Sequence, residues 1–162
     1  MAEPTREYRY QVDRDGRIFH DGTEIVDPAV LRFFLRAMTR TDDGRCLVLC
    51  QGERNWFEAS DTPFVVQRLR LGIEGGLLQD VELCFPGDYR EPLDPRTLET
   101  TRDLLFCRVR GGAFRARFGR VAVQQLAPFL SDEGEGSALL VGGVRHAVRS
   151  GAAAVPRAAG LG

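Results

Sequence analysis

No lysine occurs in the 162-residue chain, so all 22 basic side chains are arginines. Arginine is the residue of choice for bidentate recognition of carboxylate and phosphate, but a uniform loss of lysine is also what codon usage in a GC-rich genome produces, and it assigns no function. Long apolar runs are missing too. The start, MAEPTREYR, is polar and charged, and no stretch approaches the ~20 apolar residues of a membrane span. The expectation is a cytoplasmic protein that does not engage a membrane. Histidine is scarce, with His20 and His146 far apart, and no C-x-x-C occurs among Cys46, Cys50, Cys84 and Cys107. If GRCLVLC is a strand, Cys46 and Cys50 share a face ~13 Å apart at ~3.3 Å per residue, too far to share a metal held at about 2.3 Å from each sulfur. The cysteines read as buried free thiols, with no metal and no cofactor. Also absent are G-x-S-x-G, a Walker A loop, G-x-G-x-x-G between strand and helix, and H-E-x-x-H, which removes several large enzyme classes.

What remains has a globular profile. Hydrophobic residues at 43% and charged residues at 28% are enough to build a core, and the length fits one domain over residues 1–150. The net charge of -1 hides an asymmetry: residues 1–99 hold 13 arginines against 19 acids, whereas residues 100–162 hold nine against four. The two halves can neutralise each other. That argues against a nucleic-acid footprint, which needs a net basic surface.

The pattern along the chain predicts an α+β fold with antiparallel sheets, made of two similar halves at residues 6–71 and 103–150. In EYRYQV, Tyr8, Tyr10 and Val12 alternate with Arg9 and Gln11, as in a half-buried strand. Asp15-Gly16 and Asp21-Gly22 mark turns. In VDPAVLRFFLRAMTR, Asp27 is an N-cap and Pro28 the first helical residue, with Val30, Leu31, Phe34, Leu35 and Met38 on one face. GRCLVLC reads as a central strand, QGER as a turn and NWFEA as the next strand. The second half repeats the order hairpin, helix, strand, glycine turn, strand in LLFCRVRGGAFRARF, VAVQQLAPFL, SALLVGG and VRHAVRS, with Gly16 matched to Gly112 and Gly52 to Gly143. Two strands, TPFVVQRLRLG and LLQDVELCF, and a proline-rich loop, PGDYREPLDPRT, connect the halves. The tail, residues 151–162, lacks periodicity and is expected to be disordered.

The stretch FCRVRGGAFRARF concentrates positive charge. A two-residue turn at Gly111-Gly112 sets Arg108 opposite Arg115 and Phe106 opposite Arg117. Leu105, Cys107, Val109, Phe114, Ala116 and Phe118 then point inward, while Arg108, Arg110, Arg115 and Arg117 point outward around Phe106. Facing arginines repel, so something must offset them. Either acids of the first half and water cover a solvated face, or the face binds an anion or an acidic partner. Arg32, Arg36 and Arg40, spaced by four, form a second basic stripe with no acid four residues away.

The polar knot CQGERNWFEASDTPF places Glu53, Arg54 and Asn55 at the expected turn, followed by Glu58 and Asp61. As structure these residues satisfy turn backbone groups. As chemistry they could form an enzyme site with Cys50 as nucleophile, although no histidine is near in sequence. His20, next to the Asp21-Gly22 turn, reads as a surface or tyrosine-packed histidine and not as a base.

Arg6, Glu7, Tyr8 and Tyr10, then Glu53, Arg54 and Asn55, then Asp61 and Pro63 resemble the recurring R-E-Y-x-Y, E-R-N and D-x-P features of a family of small uncharacterised proteins, a domain of unknown function with a mitochondrial member in animals. The similarity covers residues 6–70 and more loosely the rest. No targeting segment precedes Arg6 here, so a mitochondrial destination is not implied. YQVDRDGRIFHDGTEI and DTPFVV are also similar to a second, bacterial family of unknown function, whose repeated α+β fold has been suggested to act in signalling. Neither resemblance supplies a reaction. The leading expectation is a non-catalytic binding or regulatory module for a small anionic ligand or a protein partner. The alternatives are an enzyme centred on Glu53, Arg54 and Asn55, and nucleic-acid binding through the arginine faces.

Overall fold

A computed structural model describes residues 6–134 and 136–151. The chain runs β1 (Glu7–Val12), β2 (Ile18–His20), β3 (Thr23–Glu24), α1 (Pro28–Ala37), β4 (Thr39–Arg40), β5 (Cys46–Cys50) and β6 (Glu53–Ala59). These strands form one sheet in the order β3-β2-β1-β6-β5-β4. Next come β7 (Phe64–Val66), β8 (Arg68–Glu74), β9 (Leu77–Cys84) and β10 (Arg90–Pro92), of which β10-β9-β8 make a small sheet of their own. The last part contains β11 (Glu99–Thr101), β12 (Leu104–Val109), β13 (Phe114–Phe118), α2 (Arg120–Leu126), β14 (Leu130–Glu133), β15 (Gly136–Val141) and β16 (Val144–Ser150). Its sheet has the order β14-β15-β16-β11-β12-β13-β7. Among the described residues no helix is long and apolar enough to cross a membrane. The predicted tail lies, from residue 152 on, outside the described residues.

The fold is α+β, but its two larger sheets are mixed, and only the small sheet is antiparallel throughout. β1 runs parallel to β6, β11 to β16, and β7 to β13. In the first two cases the intervening helix and hairpin return the chain beside its own first strand in the same direction, a crossover that strand periodicity alone does not reveal. β1 also pairs antiparallel with β2, and β11 with β12, so each of these strands lies between a hairpin partner and a parallel strand from later in the chain. The turn between β2 and β3 is Asp21-Gly22.

Local chemistry explains the elements. The Asp27 carboxylate accepts from the Ala29 N–H at 2.9 Å and Pro28 opens α1, which satisfies one of the free amides of its first turn. Phe34 and Leu35 are buried, as is Met38 just beyond the helix end. β5 lies one strand from the edge, and Leu49 is 62% exposed, so the strand is not covered on both faces as predicted. TPFVVQRLRLG divides at Gln67 into β7 and β8, which join different sheets. The proline-rich loop contains the short strand β10 and approaches α1 closely. At Gly87 the backbone has φ +74°, and a Cβ there would stand 2.5 Å from the Arg32 nitrogen and 2.6 Å from the Pro28 oxygen. Only glycine permits both.

One hydrophobic cluster links all three sheets. Leu35 and Phe34 of α1 meet Val48 and Phe57 of the first sheet, Leu69 and Leu83 of the small sheet, and Cys107, Phe114 and Leu139 of the last. Fully burying side chains of this size contributes roughly 1.5–3 kcal/mol each.

Candidate binding face

The hairpin of β12 and β13 has the register expected from its glycines. Phe106 faces Arg117, Cys107 faces Ala116 and Arg108 faces Arg115. Arg110, Gly111 and Gly112 all have positive φ, and the Gly112 N–H closes the turn on the Val109 carbonyl. Leu105, Cys107, Val109, Phe114, Ala116 and Phe118 are buried, as alternation requires.

The arginines do not share one fate. Arg115 Nε lies 3.3 Å from Glu99 Oε1, its Nη2 donates to Thr101 Oγ1 at 2.9 Å, and its guanidinium stands 3.6 Å from the Phe106 ring centroid. Phe106 is thus no exposed apolar surface; only 2% of it is accessible beneath that guanidinium. Arg117 Nε donates to Asp61 Oδ2 at 2.9 Å, and a second nitrogen donates to the Arg14 carbonyl. Arg110 leaves the face altogether. Its Nη1 donates to the Leu35 carbonyl at 2.7 Å, at the C-terminal end of α1, and its backbone N–H donates to both oxygens of Glu91. Tyr89 also donates to Glu91, and burial together with that bond raises the phenol well above its ordinary pKa. Arg108 is exposed. Glu91, Glu99 and Asp61 all come from the acidic half, so the charge asymmetry of the sequence is in part an internal match.

β16 brings residues that sequence reasoning missed. Its register with β11 sets Arg149 beside Glu99, and alternation puts Arg145 on the same face. Glu99 and Arg149 are 50 positions apart, and only the parallel pairing of β11 with β16 joins them. The result is a sheet face that carries Arg108, Arg115 and Arg149, with Arg115 paired to Glu99. Such a face offers guanidinium donors and positive charge beside one carboxylate.

The second basic stripe does not persist. Arg40 stands beyond the end of α1, in β4, and Arg32 Nη1 donates to the Gly87 carbonyl at 2.9 Å.

Glu53, Arg54 and Asn55 are not a turn; they are the first residues of β6, and the turn is Gln51-Gly52. The parallel pairing of β1 with β6 sets Tyr8 beside Asn55. Tyr8 donates to Glu53 at 3.4 Å, Tyr10 donates to Asn55 Oδ1 at 3.2 Å, and Asn55 Nδ2 donates to the Val48 carbonyl at 3.1 Å. His20 packs on the ring of Tyr10 at 5.0 Å. Arg54 pairs with Glu7 at 3.5 Å. Burial, then Tyr8 and Glu53, raises the Tyr10 pKa, which keeps that phenol a donor. Asn55 is 5% exposed with its amide committed at both ends, so the E-R-N segment locks two strands together. Cys50 pairs across from Glu53.

The architecture defines a mixed-sheet α+β protein with two short helices. Two solved structures share it. A DUF1285 family protein from Silicibacter pomeroyi DSS-3 superposes with a TM-score of 0.70 at 19% identity, over 93% of this chain and 85% of that one. A DUF1285 family protein from Shewanella baltica OS155 superposes with a TM-score of 0.58 at 12% identity, over 74% and 90%. At these identities the likeness is one of fold, and the neighbours are themselves proteins of unknown function. No protein-family model matches the chain, and no curated protein matches it.

Proposed function

We propose that the protein is a non-catalytic binding or regulatory module whose outer arginine face, Arg108, Arg115 and Arg149 over Phe106, receives an acidic segment of a protein partner. The observation that carries this reading is the register of Arg108 opposite Arg115 on an open sheet face, with Glu99 as the central carboxylate. Like charges held side by side favour any partner that supplies further carboxylates. Arg110 and Arg117 hold the protein's own groups and serve the face as supports. The matching strand orders β3-β2-β1-β6-β5-β4 and β13-β12-β11-β16-β15-β14 support a second reading, that one domain was assembled from two copies of a single unit, near residues 7–59 and 99–150, around the shared core.

The test is fluorescence anisotropy with a labelled polyglutamate peptide and, in parallel, a single-stranded oligonucleotide. Polyglutamate should bind, and the double variant Arg108→Ala/Arg149→Ala should weaken it roughly tenfold or more, since a charged hydrogen bond is worth about 1.5–3 kcal/mol, at an unchanged melting temperature. Oligonucleotide binding with a steep salt dependence, or polyglutamate binding that ignores the variant, would replace this reading.

A further inference from the structure

A cavity of about 300 Å³ opens beside the first sheet, lined by Arg9, Arg40, Arg45, Trp56, Glu58 and Pro63 among others. That volume lies at the lower end of small-ligand sites, roughly 300–1,000 Å³. We propose that it binds a small planar organic monoanion, an aromatic carboxylate, independently of the arginine face.

The floor is rigid. Trp56 pairs with Arg9 on β1 and Leu47 on β5, is 9% exposed, and donates from its indole nitrogen to Glu7 Oε1 at 3.2 Å. Over its ring sits the Arg45 guanidinium, 3.9 Å from the centroid, held by Asp43 at 3.1 Å. A guanidinium clamped between a ring and a carboxylate still presents a flat, weakly hydrated surface on which a further planar group stacks.

The charges of the wall are unevenly matched. Arg9 pairs with Glu58 at 3.5 Å and Arg45 with Asp43. Arg40 lies 4.8 Å over the Phe114 ring and donates one bond, to the Gly44 carbonyl at 3.2 Å, and among the described residues no carboxylate stands within ion-pair range of it. A guanidinium carries five N–H donors in a fork matched to carboxylate or phosphate, so Arg40 is the group that would take the anionic head. Asp61, already bound to Arg117, and Glu58 stand in the same wall and repel a polyanion, which restricts the ligand to a single small charge. The planar body then lies toward Arg45 and Trp56.

Trp56 is the sole tryptophan, so its fluorescence reports the site directly. The probes are benzoate, phenyl phosphate and inorganic phosphate. Benzoate should change the emission saturably, with a dissociation constant on the order of a millimolar or tighter; phenyl phosphate, close to a dianion at neutral pH, should bind more weakly. Inorganic phosphate, with no ring to stack, should also bind more weakly than benzoate. Arg40→Gln should weaken benzoate binding about tenfold through the lost charged hydrogen bonds. The Trp56 indole N–H resonance of the unaltered protein, followed by NMR, locates binding without relying on the variant's folding. No saturable change with benzoate, an unmoved indole resonance, phenyl phosphate or inorganic phosphate binding as tightly as benzoate, or a folded Arg40→Gln protein that binds benzoate normally would each overturn the proposal.

Discussion

Arg110 Nη1 reaches the carbonyl oxygen of Leu35 at 2.7 Å, tying the turn of the second hairpin to the last turn of α1. A cation at a helix C-terminus meets unpaired carbonyls and the negative end of the helix dipole. Arg110→Ala should lower unfolding stability by about 1–3 kcal/mol and leave binding at the arginine face unchanged per folded molecule. Urea denaturation set beside the polyglutamate titration separates the two; lost binding at full stability would return Arg110 to the face.

Gly87→Ala should be among the most damaging single changes. The new methyl would meet the α1 backbone at 2.5 Å on a residue with φ +74°, and strain of that kind costs about 1–3 kcal/mol before any clash is relieved. Gly111→Ala, where φ is +69° but a Cβ has nothing within 4 Å, should cost only the conformational penalty of about 1–2 kcal/mol. Equal losses for the two in denaturant titrations would refute the role given to the Gly87 contact.

Asn55→Ala removes the partners of Tyr10 and of the Val48 carbonyl. Leaving buried polar groups unpaired costs about 1–3 kcal/mol, so the midpoint of thermal unfolding should fall. The same variant tests the enzymatic reading of the E-R-N segment, which requires Asn55 to act on a substrate and not on its own sheet; unaltered stability would count for that reading.

Stability should decline at both ends of the pH scale. Asp43, Asp88 and Asp94 are held below the ordinary carboxylate value, first by hydrogen bonds from Thr41, Arg90 and Arg96 respectively. A depressed folded-state pKa gives stability that is present above the unfolded value and lost as pH falls through the folded one, hence below about pH 4. These carboxylates are exposed, so salt should blunt the effect. On the alkaline side burial, then Glu91 and Asp94, pushes the Cys107 thiol from 9.0 up to about 12. Its raised value gives stability that is intact below the unfolded pKa and lost as pH rises toward about 12. Cys107→Ala should flatten that alkaline slope in chemical denaturation at stepped pH; an unchanged slope would assign it to other groups, such as Tyr10 and Tyr89.

Local order was legible in the residues themselves. Alternation gave the faces of β1, β12 and β13, the Asp27-Pro28 cap gave the start of α1, and two glycines set the hairpin register, because each depends on neighbours a few positions apart and on backbone preferences that travel with the residue. Tertiary structure decided what the charges are for. Arg115 finds Glu99, Arg117 finds Asp61, Arg110 finds Leu35, and Asn55 lies in a strand beside Tyr8 and not in a turn, through strand pairings and the packing of a hairpin turn on α1 that join residues up to 75 positions apart. A one-dimensional pattern of polar and apolar residues says that a side chain leaves the core; it does not say which distant carboxylate, carbonyl or ring it meets there. Whether an arginine serves as a support or as a free hand for a ligand therefore depended on the packing of the two larger sheets around their common core.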